Sequence, residues 1–185
     1  MFDKAIARAR QLDEYHRKTG RTKGPFHGLP ISIKDNFNVI GHDSTVGFTS
    51  LVNDPATYNS TLIDLLLDAG AVLYVKTNVP TAMMIAESVN NLFGRTVNPR
   101  NRNLTSGGSS GGESALIAFG ASRLGVGTDI GKTRSSSSVR IRSNRVIEEA
   151  RYAFLPHAQA SSQLGHPRGV SLTSKLALVS PAKRP

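Results

Sequence analysis

The chain has 185 residues, long enough for one domain with its own core, although 38% hydrophobic and 6% aromatic content is sparse for one. The absence of cysteine excludes disulfides and thiolate metal sites, and no apolar run approaches the roughly 18 residues that span a bilayer. The net charge of +10 is unevenly placed: residues 1–131 hold 13 Lys and Arg against 11 Asp and Glu, and residues 132–185 hold 10 against 2. Any electrostatic case for a nucleic-acid or anionic-membrane partner therefore rests on the last segment.

Met1-Phe2-Asp3-Lys4-Ala5 lacks the apolar core of a secretory signal, so the expectation is a cytoplasmic protein. Phe2 to Arg17 reads as an amphipathic helix with Phe2, Ile6, Ala9, Leu12 and Tyr15 on one face, ended at Thr19-Gly20. Leu29, Ile31 and Ile33 alternate in Gly28–Phe37, which predicts a strand with one buried face. Lys34 stands at its end, where a lysine is ordinarily a solvated charge. Asn38 to Tyr58 is a long polar connection, and loops of that length often wrap an active site.

Asn59-Ser60-Thr61 opens a second helix with a predicted stripe of Leu62, Leu65, Leu66 and Ala69 and a stop at Gly70. Ala71 to Lys76 is an apolar, β-rich run that reads as a buried strand. Strand, helix, strand in this order predicts an α/β layered fold with a parallel core. Thr77-Asn78-Val79-Pro80 turns the chain into a helical piece with Ala82, Met83, Met84 and Ala86, where paired methionines read first as core filler. Asn90 to Arg102 reads as loop.

Thr105-Ser106-Gly107-Gly108-Ser109-Ser110-Gly111-Gly112-Glu113-Ser114-Ala115 follows, then a helix to Ala121 and a short strand, Arg123 to Gly127. The glycines let backbone N–H groups approach a ligand, and a helix start adds unpaired donors. Alone, the stretch fits an anion-binding loop, a linker or a catalytic turn.

Five blocks taken together narrow that choice. Gly28-Leu29-Pro30-Ile31-Ser32-Ile33-Lys34-Asp35, Lys76-Thr77-Asn78-Val79-Pro80, Thr96-Val97-Asn98-Pro99, Gly107–Glu113 and Gly127-Thr128-Asp129-Ile130-Gly131 stand in the order of the amidase signature family, and residues 1–131 resemble it. The tone is closest to its eukaryotic acetamidase and fatty-acid-amide-hydrolase branch. The resemblance implies part of an α/β/α sandwich with a mixed, largely parallel central sheet. It also implies hydrolysis of a C–N amide bond in a small-molecule substrate by a Ser-Ser-Lys triad, without metal or cofactor.

By that resemblance Lys34 is the base and Ser109 the relay serine, held by a cis peptide, with Ser110, Ser106 and Thr105 as supporting hydrogen-bond groups. A lysine, ordinarily near pKa 10.4, is a base only when neutral, so its surroundings must favour the amine. In the family the sequence after Gly-Thr-Asp-x-Gly runs Gly-Ser-Ile/Val-Arg-x-Pro, and that serine attacks the carbonyl. Here those slots hold Lys132 and Thr133. Ser138-Val139-Arg140-Ile141-Arg142 resembles the same piece after five extra residues, which makes Ser138 the alternative nucleophile. Backbone N–H groups of Ile130, Gly131, Lys132 and Thr133 would line the oxyanion hole, and Met83 resembles a position lining the substrate cleft.

Beyond Gly131 the sequence reads as a basic extension, residues 132–185, without a recognisable module and expected to be disordered; its one helix-like piece is Val146 to Phe154. The abrupt charge change at residue 132 is the composition expected of a frameshift, retained intron or mis-joined gene. Three functions follow: an active amide hydrolase, a truncated and weakly active or inactive relative, and a basic-tail binder of nucleic acid or membrane. The third is the weakest, because Tyr152 and Phe154 are the tail's only aromatics for base stacking.

Overall fold

A computed structural model describes residues 1–128 and the strand Val146–Glu148. The first helix, α1 (Phe2–Thr19), stops at Gly20, whose φ of 68° is left-handed. Its buried face is narrower than its apolar pattern: Ala5 and Leu12 pack on the sheet, while Phe2, Ile6 and Tyr15 remain exposed. Phe2 still meets Tyr74 edge-on, with ring centroids 6.0 Å apart.

β1 (Pro30–Lys34) is flanked by β2 (Val72–Thr77) and a later strand, Gly125–Gly127, and both neighbours run parallel to it. An interior strand of a parallel sheet is covered on both faces, so Ile31, Ser32, Ile33 and Lys34 are all buried. The expectation of one buried face fails for that reason. Lys34, a solvated charge on local sequence alone but a base in need of burial by the resemblance, has no exposed surface.

Between these strands runs α2 (Thr61–Asp68), which packs Ile63 and Leu66 against Ile31, Ile33 and Leu73. Leu65, assigned to its stripe, is exposed. Ser60 occupies the N-cap position but its hydroxyl accepts the Asn38 N–H, 2.9 Å away, and ties down the long connection instead.

Two further expectations are corrected between residues 77 and 105. The helix expected over Ala82 to Ala86 is a single 3-10 turn, Thr81–Met83. Ala82 and Met83 have φ of 55° and 58°, outside the right-handed region a helix needs. The region expected to be loop carries four short strands: β3 (Val89–Asn90), β4 (Gly94–Arg95), β5 (Val97–Asn98) and β6 (Asn101–Thr105). They pair as two antiparallel ribbons, β3 with β4 and β5 with β6. Asn78 and Asn90 staple this region: Asn90 Nδ2 donates to Asn78 Oδ1 and to the Val79 carbonyl, each at 2.7 Å.

α3 (Gly111–Phe119) follows, starting inside the glycine-rich stretch and ending two residues before the expected Ala121, and leads to β7 (Gly125–Gly127). β8 (Val146–Glu148) pairs parallel with β7 and completes the sheet order β2-β1-β7-β8. For residues 146–148 the helix-like reading is thus replaced by a strand. The rest of the 132–185 extension lies outside the described residues.

Candidate active site

Period-two alternation along β1 puts Ser32 and Lys34 on the sheet face that receives α3. Lys34 Nζ donates to Ser109 Oγ at 2.7 Å and to the Thr128 carbonyl at 2.8 Å. Residues 75 positions apart in sequence thus meet at the end of β1, directly beside the exit of β7. Ser110 ties the same corner: its hydroxyl donates to the Thr128 carbonyl and accepts the Thr128 N–H. The Gly108–Ser109 peptide is cis.

The glycine-rich loop is held by groups other than a ligand. Gly111 N–H donates to Ser88 Oγ at 2.9 Å, and Gly112 N–H donates to the Asn78 carbonyl at 3.2 Å. Two donors of the first turn of α3 are therefore spent inside the protein, which removes the basis for an anion site there. Ser88 Oγ also donates to the Gly107 carbonyl at 3.2 Å, and Ser106 Oγ to the Thr96 carbonyl at 2.9 Å. Thr105 Oγ1 accepts the Gly107 N–H.

Gly112 on α3 packs against the backbone where β2 ends, at Thr77 and Asn78. A Cβ on it would overlap the backbone N and O of Asn78, which cannot swing aside as a side chain can. Gly112→Ala is expected to cost about 1–3 kcal/mol, read as a lower urea midpoint at unchanged m-value. A wild-type midpoint would refute this close approach.

Beneath Lys34 lies a polar cluster of Ser32, Thr77 and Glu113, which stand within the motif blocks but carried no assigned role. Glu113, fully buried, accepts hydrogen bonds from Ser32 Oγ at 2.6 Å and Thr77 Oγ1 at 2.7 Å. Burial pushes its carboxyl up to about 7; the two hydroxyls and the positive charge of Lys34 pull in the opposite direction. Ser32 also reaches Ser122 Oγ at 2.9 Å. Polar residues two apart in an apolar strand, and an acid at the head of an apolar helix, were the available signals. Their partner assignments were not local.

A largely shielded charge pair shapes the neighbouring loop. Lys76 Nζ stands 3.5 Å from Asp35 Oδ1 and donates to Ser44 Oγ at 2.7 Å and to the Asp43 carbonyl. Burial holds the Lys76 ammonium below its ordinary value, with Asp35 opposing that shift. Asp35 Oδ2 accepts the Val46 N–H at 2.8 Å and Thr45 Oγ1 at 3.3 Å. Val46 has φ of 47°, an outlier for a β-branched residue, and packs with Val79 and Met83. Met83 is thus a buried member of this small cluster.

Lys34 and Ser109 are brought together as expected. Ile130, Gly131, Lys132, Thr133 and Ser138 lie outside the described residues. A cavity of about 580 Å³ opens elsewhere, beside β2 and α3, lined by Asn78, Thr96, Arg102, Leu116 and Phe119 among others but not by Lys34 or Ser109. Among the described residues no helix is long and apolar enough to cross a membrane.

The chain is 65% identical over 130 residues to the amidase-family protein kk1C of Curvularia clavata, covering 70% of this chain and 24% of that protein. It is 53% identical over 129 residues to the acetamidase of Emericella nidulans, again covering 70% and 24%. The chain therefore spans about a quarter of the length of these curated relatives. Among solved structures, fatty acid amide hydrolase superposes with a TM-score of 0.65 at 37% identity, covering 68% of this chain and 22% of that one. The native peptide amidase of Stenotrophomonas maltophilia gives 0.62 at 28% identity, covering 68% and 26%. The Amidase family description matches residues 1–141. With that match over most of its length, and the fold shared with these amidases, the chain belongs to the amidase family.

Proposed function

We propose that the Lys34–Ser109 pair is the proton-relay half of a Ser-Ser-Lys centre for hydrolysing C–N bonds of small amide substrates. The observation that carries this reading is the 2.7 Å hydrogen bond between Lys34 Nζ and Ser109 Oγ, formed on a fully buried lysine. In the relay, the neutral Lys34 amine takes the Ser109 proton while Ser109 takes that of the attacking hydroxyl. The attacking oxygen bonds to the carbonyl carbon, and the proton returns through Ser109 to the leaving nitrogen as the C–N bond breaks. Water then releases the acyl group from the enzyme.

The attacking hydroxyl comes from Thr133 or Ser138, with the oxyanion held by N–H groups of residues 130–133. Residues 1–131 act as part of an amidase domain and residues 132–185 as a basic extension. Weak activity or none is supported for both candidates: Lys132 puts a long side chain in the glycine slot and the extra methyl of Thr133 crowds attack, while five extra residues displace Ser138. A misplacement of about 1 Å costs roughly a hundredfold in rate.

A fluorophosphonate that reacts with activated hydroxyls tests both statements. The chain is expected to show no stoichiometric labelling, and any slow labelling is expected to vanish in Lys34→Met. Labelling that survives Lys34→Met sinks the relay. Stoichiometric labelling lost in Ser138→Ala or Thr133→Ala overturns the weak-activity reading and identifies the nucleophile.

A further inference from the structure

The proposed relay leaves a buried acid beside its base unused. Ser32 lies two residues from Lys34 on β1, and Thr77 is the register partner of Lys34 on β2. Both hydroxyls donate to Glu113, so its carboxyl sits against the strand face that carries Lys34. On the β7 side the carboxyl lies on bare backbone, since a Cβ at Gly125 would overlap Glu113 Oε2. Ser32 and Thr77 are neutral donors: they orient the carboxyl but do not balance its charge.

Among the described side chains on the elements around it, the charged groups are Lys34 on β1 and Lys76 on β2; β7 carries none. Lys76 is engaged by Asp35, Asp43 and Ser44. The charge of Lys34 acts on the Glu113 carboxyl.

We propose that Glu113 is a positioning residue that sets the charge of the Lys34 amine, the two forming one coupled acid–base pair inside the protein. The carboxylate favours the Lys34 ammonium; the protonated carboxyl favours the free amine. These two arrangements hold the same number of protons, so a single proton is divided between the groups and neither titrates alone. The free amine is the form a base requires, and the catalytic consequence of this inference rests on the Lys34–Ser109 reading above. Because burial brings the carboxyl to about 7, the pair takes up its second proton in the neutral range.

The experiment is ¹³C NMR titration of the full chain labelled at glutamate Cδ and lysine Cε. Glu113→Gln identifies the Glu113 signal and Lys34→Met that of Lys34. The Glu113 midpoint is expected to rise by about one pH unit in Lys34→Met, and the Lys34 midpoint to fall by about one unit in Glu113→Gln. A purely structural carboxyl would leave the lysine midpoint where it is in the wild type, and that result overturns the proposal. If Glu113→Gln does not fold, Glu14→Gln, Glu87→Gln, Glu148→Gln and Glu149→Gln assign the Glu113 signal by elimination. Lys34→Met then decides: an unmoved Glu113 midpoint overturns the pairing and an upward shift supports it.

The titration needs no turnover, so the two readings fail separately. Coupled midpoints with fluorophosphonate labelling that survives Lys34→Met uphold the pair and sink the relay. Uncoupled midpoints with labelling that depends on Lys34 do the reverse.

Discussion

Asp35→Ala is expected to destabilise the chain by about 3 kcal/mol, measured as a fall in urea midpoint. The variant strips the partly buried Lys76 ammonium of its carboxylate and leaves the Val46 N–H without its acceptor. Removing one member of a fully buried pair ordinarily costs about 3–5 kcal/mol, and the residual exposure of both side chains (10% and 13%) with the 3.5 Å separation places this pair no higher than the lower end. The Val46 contact adds to the effect, because a left-handed valine persists only where its neighbours enforce it. Asp35→Asn retains an acceptor oxygen for that N–H and is expected to lose less. Adding Lys76→Met to Asp35→Ala is expected to recover part of the loss, since no buried charge then remains unpaired. A cost for Asp35→Ala no larger than a surface substitution, about 0.5 kcal/mol, would remove the pair from any account of how the Val46–Met83 cluster is held.

A pH-dependent loss of stability is expected from Glu113. Its ordinary value is 4.5 and its folded value is about 7. The folded chain therefore keeps a proton that the unfolded chain releases between those values. The stabilising contribution is fully present below 4.5, declines as pH rises, and is gone above about 7. The shift corresponds to a contribution on the order of 3 kcal/mol. Comparing urea midpoints of the wild type and Glu113→Gln at pH 5 and pH 8 reads the contribution of Glu113 together with its coupling to Lys34, because only the wild type carries both. His42 works in the opposite direction, its ordinary value lowered by burial and then by Lys4, the N-terminal amine and Lys76. That contribution is shared by both proteins and cancels in the comparison. Parallel pH profiles for the two proteins would show that Glu113 does not take up a proton on folding.

Much of the architecture was legible because it is written in short-range periodicity. The span of α1, the stop at Gly20, the α2–β2 unit and the helix after the glycine-rich loop all follow from spacing and from glycine placement. The depth of burial was less legible. Tyr15 and Leu65 lie on apolar stripes but face solvent, since a stripe states which side is apolar and not how wide its contact is. The two-residue strands β3, β4 and β5 are too short for any alternation to register. They are held by paired backbone and by Asn78 and Asn90, whose partners lie 11 to 18 residues away.

By itself the sequence determined the layered α/β class, the order of the five motif blocks and the identity of Lys34 and Ser109 as the residues to watch. Local spacing carries the first, and residue type within a recognisable order carries the others. Only the tertiary structure decided that Lys34 is buried rather than solvated, because that depends on β1 having strands on both sides and helices on both faces. It also decided that the glycine-rich loop spends its first helical N–H groups on Ser88 and Asn78. The carboxyl of Glu113 belongs to the same category. Its partner Ser32 is 81 residues away, and the pull of the Lys34 charge on it depends on distance through space, which no local pattern encodes.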